Sequence, residues 1–294
     1  LRQSGVQPSF RGVGASVAVT WSAAELYGVK LGAANLAPVL KNGQATLRKT
    51  AIPVADGQAN VAAVVDLAPS EPTLKLAKLQ LLENVTLTKE LGAQLLGRIN
   101  PVFMHVASIE GRVNLRVEDV LIPLGPSVKQ RGAAQGRLDL RQVQMRPSGL
   151  LGELIALGGL QAGGAYPVQI GTLTFVMQDG RIRYDNLRLT FPEKFDLIFR
   201  GSVGLDDTLD LVVSVPVRAA LLDRLGVKGP TLEHAQMLGG ARVDIPLVGT
   251  RAQPRLDFAK VDVQSLLKDV LLKQPGKQIE DLLRGLPGDQ RKRP

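Results

Sequence analysis

Cysteine is absent from the 294 residues, which excludes a disulfide scaffold, a thiol nucleophile and a cysteine-based zinc site. Such a composition is compatible with an oxidising compartment without requiring one. Aromatic residues make up only 4% of the chain, so stacking platforms for bases are not expected. Histidine is equally scarce. His105 and His234 stand far apart, and neither has a ligand companion three or four residues away. Glu233 is adjacent to His234 and would diverge from it on a helix, so a shared metal is not expected. No G-x-S-x-G motif occurs, and neither Gly158-Gly159 nor Gly163-Gly164 lies in a phosphate-binding context. Asp206-Asp207 and Asp179 read as turn residues rather than as catalytic carboxylates. These absences give the expectation of a non-enzyme without metal or cofactor. The chain also shows no initiator Met, no signal peptide and no apolar run long enough to span a bilayer. It therefore reads as a piece of a longer protein whose targeting segment is left out.

The residues that are present indicate a folded chain: 45% are hydrophobic, dominated by Leu, Val, Ala and Ile, which suit sheet faces. The length fits two ordinary domains or one elongated one. The net charge of +9 is dispersed along outward strand positions, with one concentrated tail at Arg291-Lys292-Arg293. No zinc finger or aromatic RNA-reading motif accompanies it, so nucleic acid is not an expected partner. An anionic membrane surface stays open as one.

The clearest pattern runs from Gly171 to Val217. Leu173, Phe175 and Met177 alternate with Thr174, Val176 and Gln178, and Asp179-Gly180 then supplies a hairpin signal. Ile182 and Tyr184 return, followed by the files Leu187/Leu189/Phe191, Phe195/Leu197/Phe199 and Leu209/Leu211/Val213/Val215/Val217. Side chains alternate across a strand, so each file is one apolar surface. The pattern predicts an antiparallel meander of four or five strands with one apolar and one mixed face.

Before it, strands are expected at Ala15–Thr20, Ala24–Leu31, Gly43–Leu47, Gly57–Leu67 and Thr73–Leu82, the last with a bulge or twist because its leucines break parity. Leu91, Leu95, Leu96 and Ile99 recur at helical spacing behind a Thr88 cap and before Pro101. Strands resume at Gly111–Val117, Val120–Pro123 and Gly136–Met145. Ser148 opens a second helix that Gly158-Gly159 stops. After the meander come a short helix at Arg218–Leu225, a strand at Ala241–Val248, and amphipathic helices at Val261–Lys273 and Gly276–Leu286. Gly111-Arg112, Gly136-Arg137 and Gly180-Arg181 read as a repeated way of starting a strand after a turn, with Asn42-Gly43 and Asp56-Gly57 as weaker versions. The fold class is thus mainly β with α (α+β): an elongated, curved antiparallel sheet with short helices packed on it or capping it. Its divisions are a lead-in over 1–14, a sheet domain over 15–260 with possible subunits 15–105 and 106–260, and a helical, basic tail over 261–294.

DGRIRYDNLRLTF, then GSVGLDDTLDL, then IPLVGTRAQPRLD resembles the C-terminal region of AsmA-like proteins. Gly201-Ser202-Val203-Gly204-Leu205, Leu209-Asp210-Leu211, and Ile245-Pro246 through Gly249-Thr250 with Pro254 match successive slots of that pattern. Thr88–Pro101 and Glu110–Pro123 look like the family's helix-then-strand arrangement. The resemblance covers most of residues 85–260, and 15–82 more faintly, through hydrophobic patterns with few fixed polar residues. It implies a half-open β-groove related to TamB-like and bridge-like lipid transfer proteins, anchored in the inner membrane by a segment absent from this chain and projecting into the periplasm. It also implies a part in phospholipid transport to the outer membrane and in its integrity.

A groove for acyl chains needs an apolar lining and no polar catalysis, and each buried CH₂ gains about 0.8 kcal/mol. Phe175, Leu187, Leu189, Phe191, Phe195, Leu197, Phe199, Leu211, Val213 and Val215 are the expected lipid-binding residues, with phospholipids as the expected partner. The same files equally suit packing against one another or beneath the helices. Two other readings accompany the lipid one. The first is a scaffolding envelope protein whose self-filled sandwich binds other proteins. The second is a membrane-surface module built on the helices at 261–286 and the basic tail.

Overall fold

The computed structural model describes residues 12–26, 29–161, 163–226 and 240–261. Short strands open the chain: β1 (Gly14–Ser16), β2 (Val19–Trp21), β3 (Ala24–Leu26), β4 (Val29–Leu31), β5 (Ala34–Leu36) and β6 (Val39–Lys41). Longer ones follow as β7 (Gln44–Val54), β8 (Gly57–Asp66), β9 (Thr73–Leu76) and β10 (Leu79–Leu87). A helical run over 89–99, called α1, comprises Lys89–Leu91, Gly92–Leu96 with π-type bonding, and Gly97–Ile99. As expected, Thr88 opens it, its hydroxyl accepting from the Leu91 amide at 3.3 Å. Next come β11 (Ser108–Pro123), α2 (Val128–Arg131), β12 (Ala133–Arg146) and α3 (Gly149–Leu157). The C-terminal half holds β13 (Tyr166–Ile170), β14 (Leu173–Gln178), β15 (Arg181–Phe191), β16 (Phe195–Gly204), β17 (Leu209–Pro216), α4 (Ala219–Arg224), β18 (Arg242–Gly249) and β19 (Pro254–Leu256).

Seventeen of these strands form one antiparallel sheet, and β2 pairs with β5 separately. The order is that of a meander. β7 pairs with β8, β8 with both β9 and β10, and these with β11. β12 follows, then β13 and β14 side by side along it, then β15 through β19 in succession. Residue 105 falls between β10 and β11, which pair directly.

Local chemistry sets the turns. Asp179 and Gly180 join β14 to β15 with φ of 52° and 69°, the positive pair that a two-residue type I′ hairpin requires. Bulges interrupt the long strands, at Arg48-Lys49 in β7 and at Asp185-Asn186 in β15 among others. Each adds local twist and bends the sheet.

Several expectations need correction. Ala15–Thr20 is not one strand: it divides at Val17-Ala18 into β1 and β2, which belong to different sheets. Ile182–Tyr184 and Leu187–Phe191 form one bulged strand, so of the expected four or five strands the meander has four. Gly111 and Gly136 lie inside strands and do not start them. Gly136 is there for space, since a Cβ would sit 2.1 Å from Phe175 Cζ on the facing strand. At Asp56-Gly57 the turn is Ala55-Asp56, and Gly57 already pairs with Val54. Thr73–Leu82 is two strands, divided at Ala77-Lys78, and the expected bulge lies at Leu81 in β10. The expected helices at Val261–Lys273 and Gly276–Leu286 lie beyond the described residues, apart from Val261 itself.

Candidate functional site

Cross-strand register places one apolar file on one face of every long strand. Across the meander, Leu189 faces Leu197, Leu187 faces Phe199, Phe199 faces Val213 and Val213 faces Ile245. In the other direction Leu138 faces Leu173 and Leu115, and Leu115 faces Leu82, which faces Ala59. From Ala59 the same parity runs to Ile52 and, along β7, to Leu47 and Ala45. Leu40 of β6 then faces Ala45. Directly opposed residues share a face, so a single apolar surface, the inner face, spans the sheet from β6 to β18.

That surface is covered unequally. Leu187, Leu189, Phe191, Phe195, Leu197, Phe199, Leu211, Val213 and Val215 are all at most 3% exposed. Helix α3, whose Leu151, Leu154 and Ile155 are fully buried, and α4, through Leu221 and Leu222, belong to the same core. Of the expected lipid-binding residues only Phe175 stays partly exposed, its ring occupying the space over Gly136. The structure therefore gathers the other nine into a filled interior.

The inner face of β4 and β6–β9 is different. Leu31, Leu40, Leu47, Val61, Ala63, Val65, Leu74 and Leu76 are half-buried, while their strand neighbours Gln44, Thr46, Arg48, Pro53 and Lys75 are exposed on the outside. Among the described residues the closest helix-to-strand approaches are to β11, β16, β18 and β19, and strand β5 lies against β7. Leu47 and Val61 thus remain partly open to solvent on an otherwise apolar surface. Sequence reading marked these strands but did not single them out, because they are short or, in β8, carry Ala and Val on both faces, which gives a weaker signal than the Leu and Phe files of the meander. The signal that was available is the absence of any amphipathic helix between residues 29 and 76 to cover them.

Several titratable groups elsewhere are taken up in hydrogen bonds and ion pairs. His105 Nε2 donates to the Ala252 carbonyl at 3.1 Å, and His234 lies outside the described residues. Asp206 accepts from the Thr208 hydroxyl at 2.7 Å and from its amide at 3.2 Å, bonds that hold its carboxyl below the usual range. Asp207 takes Arg251 Nε at 2.7 Å. Both aspartates belong to the β16–β17 turn. Among the described residues no three metal-ligating side chains converge, and no helix is long and apolar enough to cross a membrane.

Comparison with protein-family models, curated proteins and solved structures returns no match to this chain.

Proposed function

We propose that the chain is an AsmA-like envelope protein that holds phospholipid acyl chains on the inner face of its N-terminal strands. The observation that carries this reading is the half-buried file from Leu31 and Leu40 through Leu47 and Val61 to Leu74. It is continuous in register with a closed core, yet the main described element against it is the short strand β5, on β7, and it stays half-buried. A sheet with an apolar face must bury it against something, and an acyl chain, which has no hydrogen-bonding group, meets that need at about 0.8 kcal/mol per CH₂. Periplasmic placement and a role in moving lipid between membranes belong to this proposal through the family resemblance. The filled interior between β10 and β18 favours a second reading, a scaffold that binds other envelope proteins.

Native mass spectrometry of the chain purified from a phospholipid-containing host, with lipid extraction, separates the two. The expected result is co-purifying phospholipid that is lost in the folded variants Leu47→Asp and Val61→Asp. A folded, lipid-free wild type would rule out the lipid reading and leave the scaffold.

A further inference from the structure

On the opposite, outer face, strands β11 and β12 bring four arginines into register. Arg112 stands directly across from Arg141, and Arg116 directly across from Arg137. Each alternates with a buried inner residue, Val113 and Leu115 on one strand and Leu138 and Leu140 on the other, so all four point outward. Like charges directly opposed across a ladder are destabilising, and this pair of strands contains two such oppositions.

Little among the described residues neutralises them. Asp139 lies between the two pairs and contacts Arg137 at 3.6 Å, and it accepts a hydrogen bond from the Thr172 hydroxyl. Arg112 donates to neutral acceptors, the Asn84 carbonyl at 3.2 Å and the Thr86 hydroxyl at 3.0 Å. Glu118, two residues beyond Arg116 on β11, is taken by Lys78 at 2.7 Å, and Glu110, two residues before Arg112, stands opposite Gln144. Arg116 and Arg141 have no ion-pair partner among the described residues. The contrast with the rest of the outer face is direct. Arg242 holds Asp196 at 2.7 Å, Arg251 holds Asp207 at 2.7 Å, and Arg200 is bonded to Asp244. Arg188, Arg200 and Arg242 on β15–β18 meet carboxylates, and Arg181 is held by Ser202 and Thr208, where Arg116 and Arg141 on β11–β12 are left in excess.

Beside Arg141 the surface sinks into a recess of about 570 Å³ where β13 diverges from β12. Its exposed lining is Arg141, Gln142, Gln144, Pro167 and Gln169. Guanidinium and carboxamide groups together suit a phosphate ester with a polar substituent. The outward positions of β11, β12 and β14 carry no aromatic ring, so bases have nothing to stack on. An array of cations at sheet spacing, with Val176 exposed at 41% on the adjacent strand, matches a layer of lipid headgroups.

We infer that the outer face of β11–β12 is a docking surface for the phosphates of an anionic phospholipid membrane, with Arg112, Arg116, Arg137 and Arg141 as its contacts. It lies on the opposite side of the sheet from the apolar file and stands or falls independently of acyl-chain binding. The test is flotation of the full chain with phosphatidylcholine vesicles, with and without phosphatidylglycerol, for the wild type and for Arg116→Gln/Arg141→Gln. A control, Lys30→Gln/Lys41→Gln, removes the same charge from exposed positions at the N-terminal edge. The expected result is binding only to the anionic vesicles, about thirtyfold weaker in the arginine variant and far less changed in the control. The melting temperature of the arginine variant should not fall, because it relieves two like-charge oppositions. Equal weakening in both variants, unchanged binding in the arginine variant, or equal binding to pure phosphatidylcholine would overturn the proposal. So would free glycerol phosphate binding as tightly as the vesicles, which would assign the recess to a soluble ligand.

Discussion

Asn100 Nδ2 donates a hydrogen bond to Tyr184 Oη at 2.9 Å, tying the end of α1 to the middle of β15 inside the core. Both residues are buried, Asn100 completely, and Asn100 Oδ1 also accepts from the Val102 amide at 3.0 Å. Tyr184→Phe keeps the ring and leaves one amide hydrogen without a partner. A buried donor left unsatisfied costs about 1–3 kcal/mol. The expected outcome is a lower urea midpoint with an unchanged m-value, measured by equilibrium unfolding.

The same tyrosine makes the fold sensitive to alkali. Burial pushes its hydroxyl well above the ordinary tyrosine value, and the hydrogen bond from Asn100 opposes this only in part. The folded state therefore keeps a proton that the unfolded chain gives up near pH 10. Since folded Tyr184 binds more protons, stability is fully present below that pH and declines as pH rises above it. Spectrophotometric titration should show one of the three tyrosines ionising only as the protein unfolds. In Tyr184→Phe that late component should be missing, and the decline in stability above pH 10 should be shallower.

Gly57 marks a close approach of two strands. A Cβ there would fall 2.5 Å from the Asn84 carbonyl oxygen and 2.6 Å from that of Glu83, which are backbone atoms that cannot swing aside. Gly57→Ala is expected to cost about 1–3 kcal/mol through this overlap. Thermal melting checks it, and a melting temperature equal to that of the wild type would show that β8 and β10 separate without penalty.

Much of the architecture could be read in advance wherever a local signal matched the tertiary outcome. Asp179-Gly180 specifies its own hairpin, and Thr88 and Ser148 mark helix starts that the fold uses. What failed was reading a glycine by its neighbours alone. Gly136 and Gly111 resemble Gly180 in sequence but sit in strands, and the reason at Gly136 is the Phe175 ring on another strand. Exposure was the least legible quantity. The alternation that marks Leu197 and Leu47 as inward-facing is the same for both, and only the packing of other elements over the sheet distinguishes a sealed position from an open one. The guanidinium excess on β11–β12 was hidden for a related reason: pairing register decides whether Arg116 meets Arg137 or an acid.

That difference in packing gives opposite outcomes for one chemical change. Leu197 is fully buried, facing Leu189 within the meander, and aspartate there would leave a charge with no solvent and no partner. Uncompensated burial of an ionised carboxylate is among the most damaging substitutions, at about 4 kcal/mol or more. Leu197→Asp is therefore expected to unfold the chain or deprive it of a cooperative transition. At Leu47, on the half-buried face of β7, the new carboxylate can turn towards water, so Leu47→Asp should stay folded at a cost of about 1–2 kcal/mol of lost apolar burial. Circular dichroism with thermal melting distinguishes them. If Leu47→Asp unfolds as completely as Leu197→Asp, the N-terminal inner face is as sealed as the C-terminal one and offers no bed for an acyl chain.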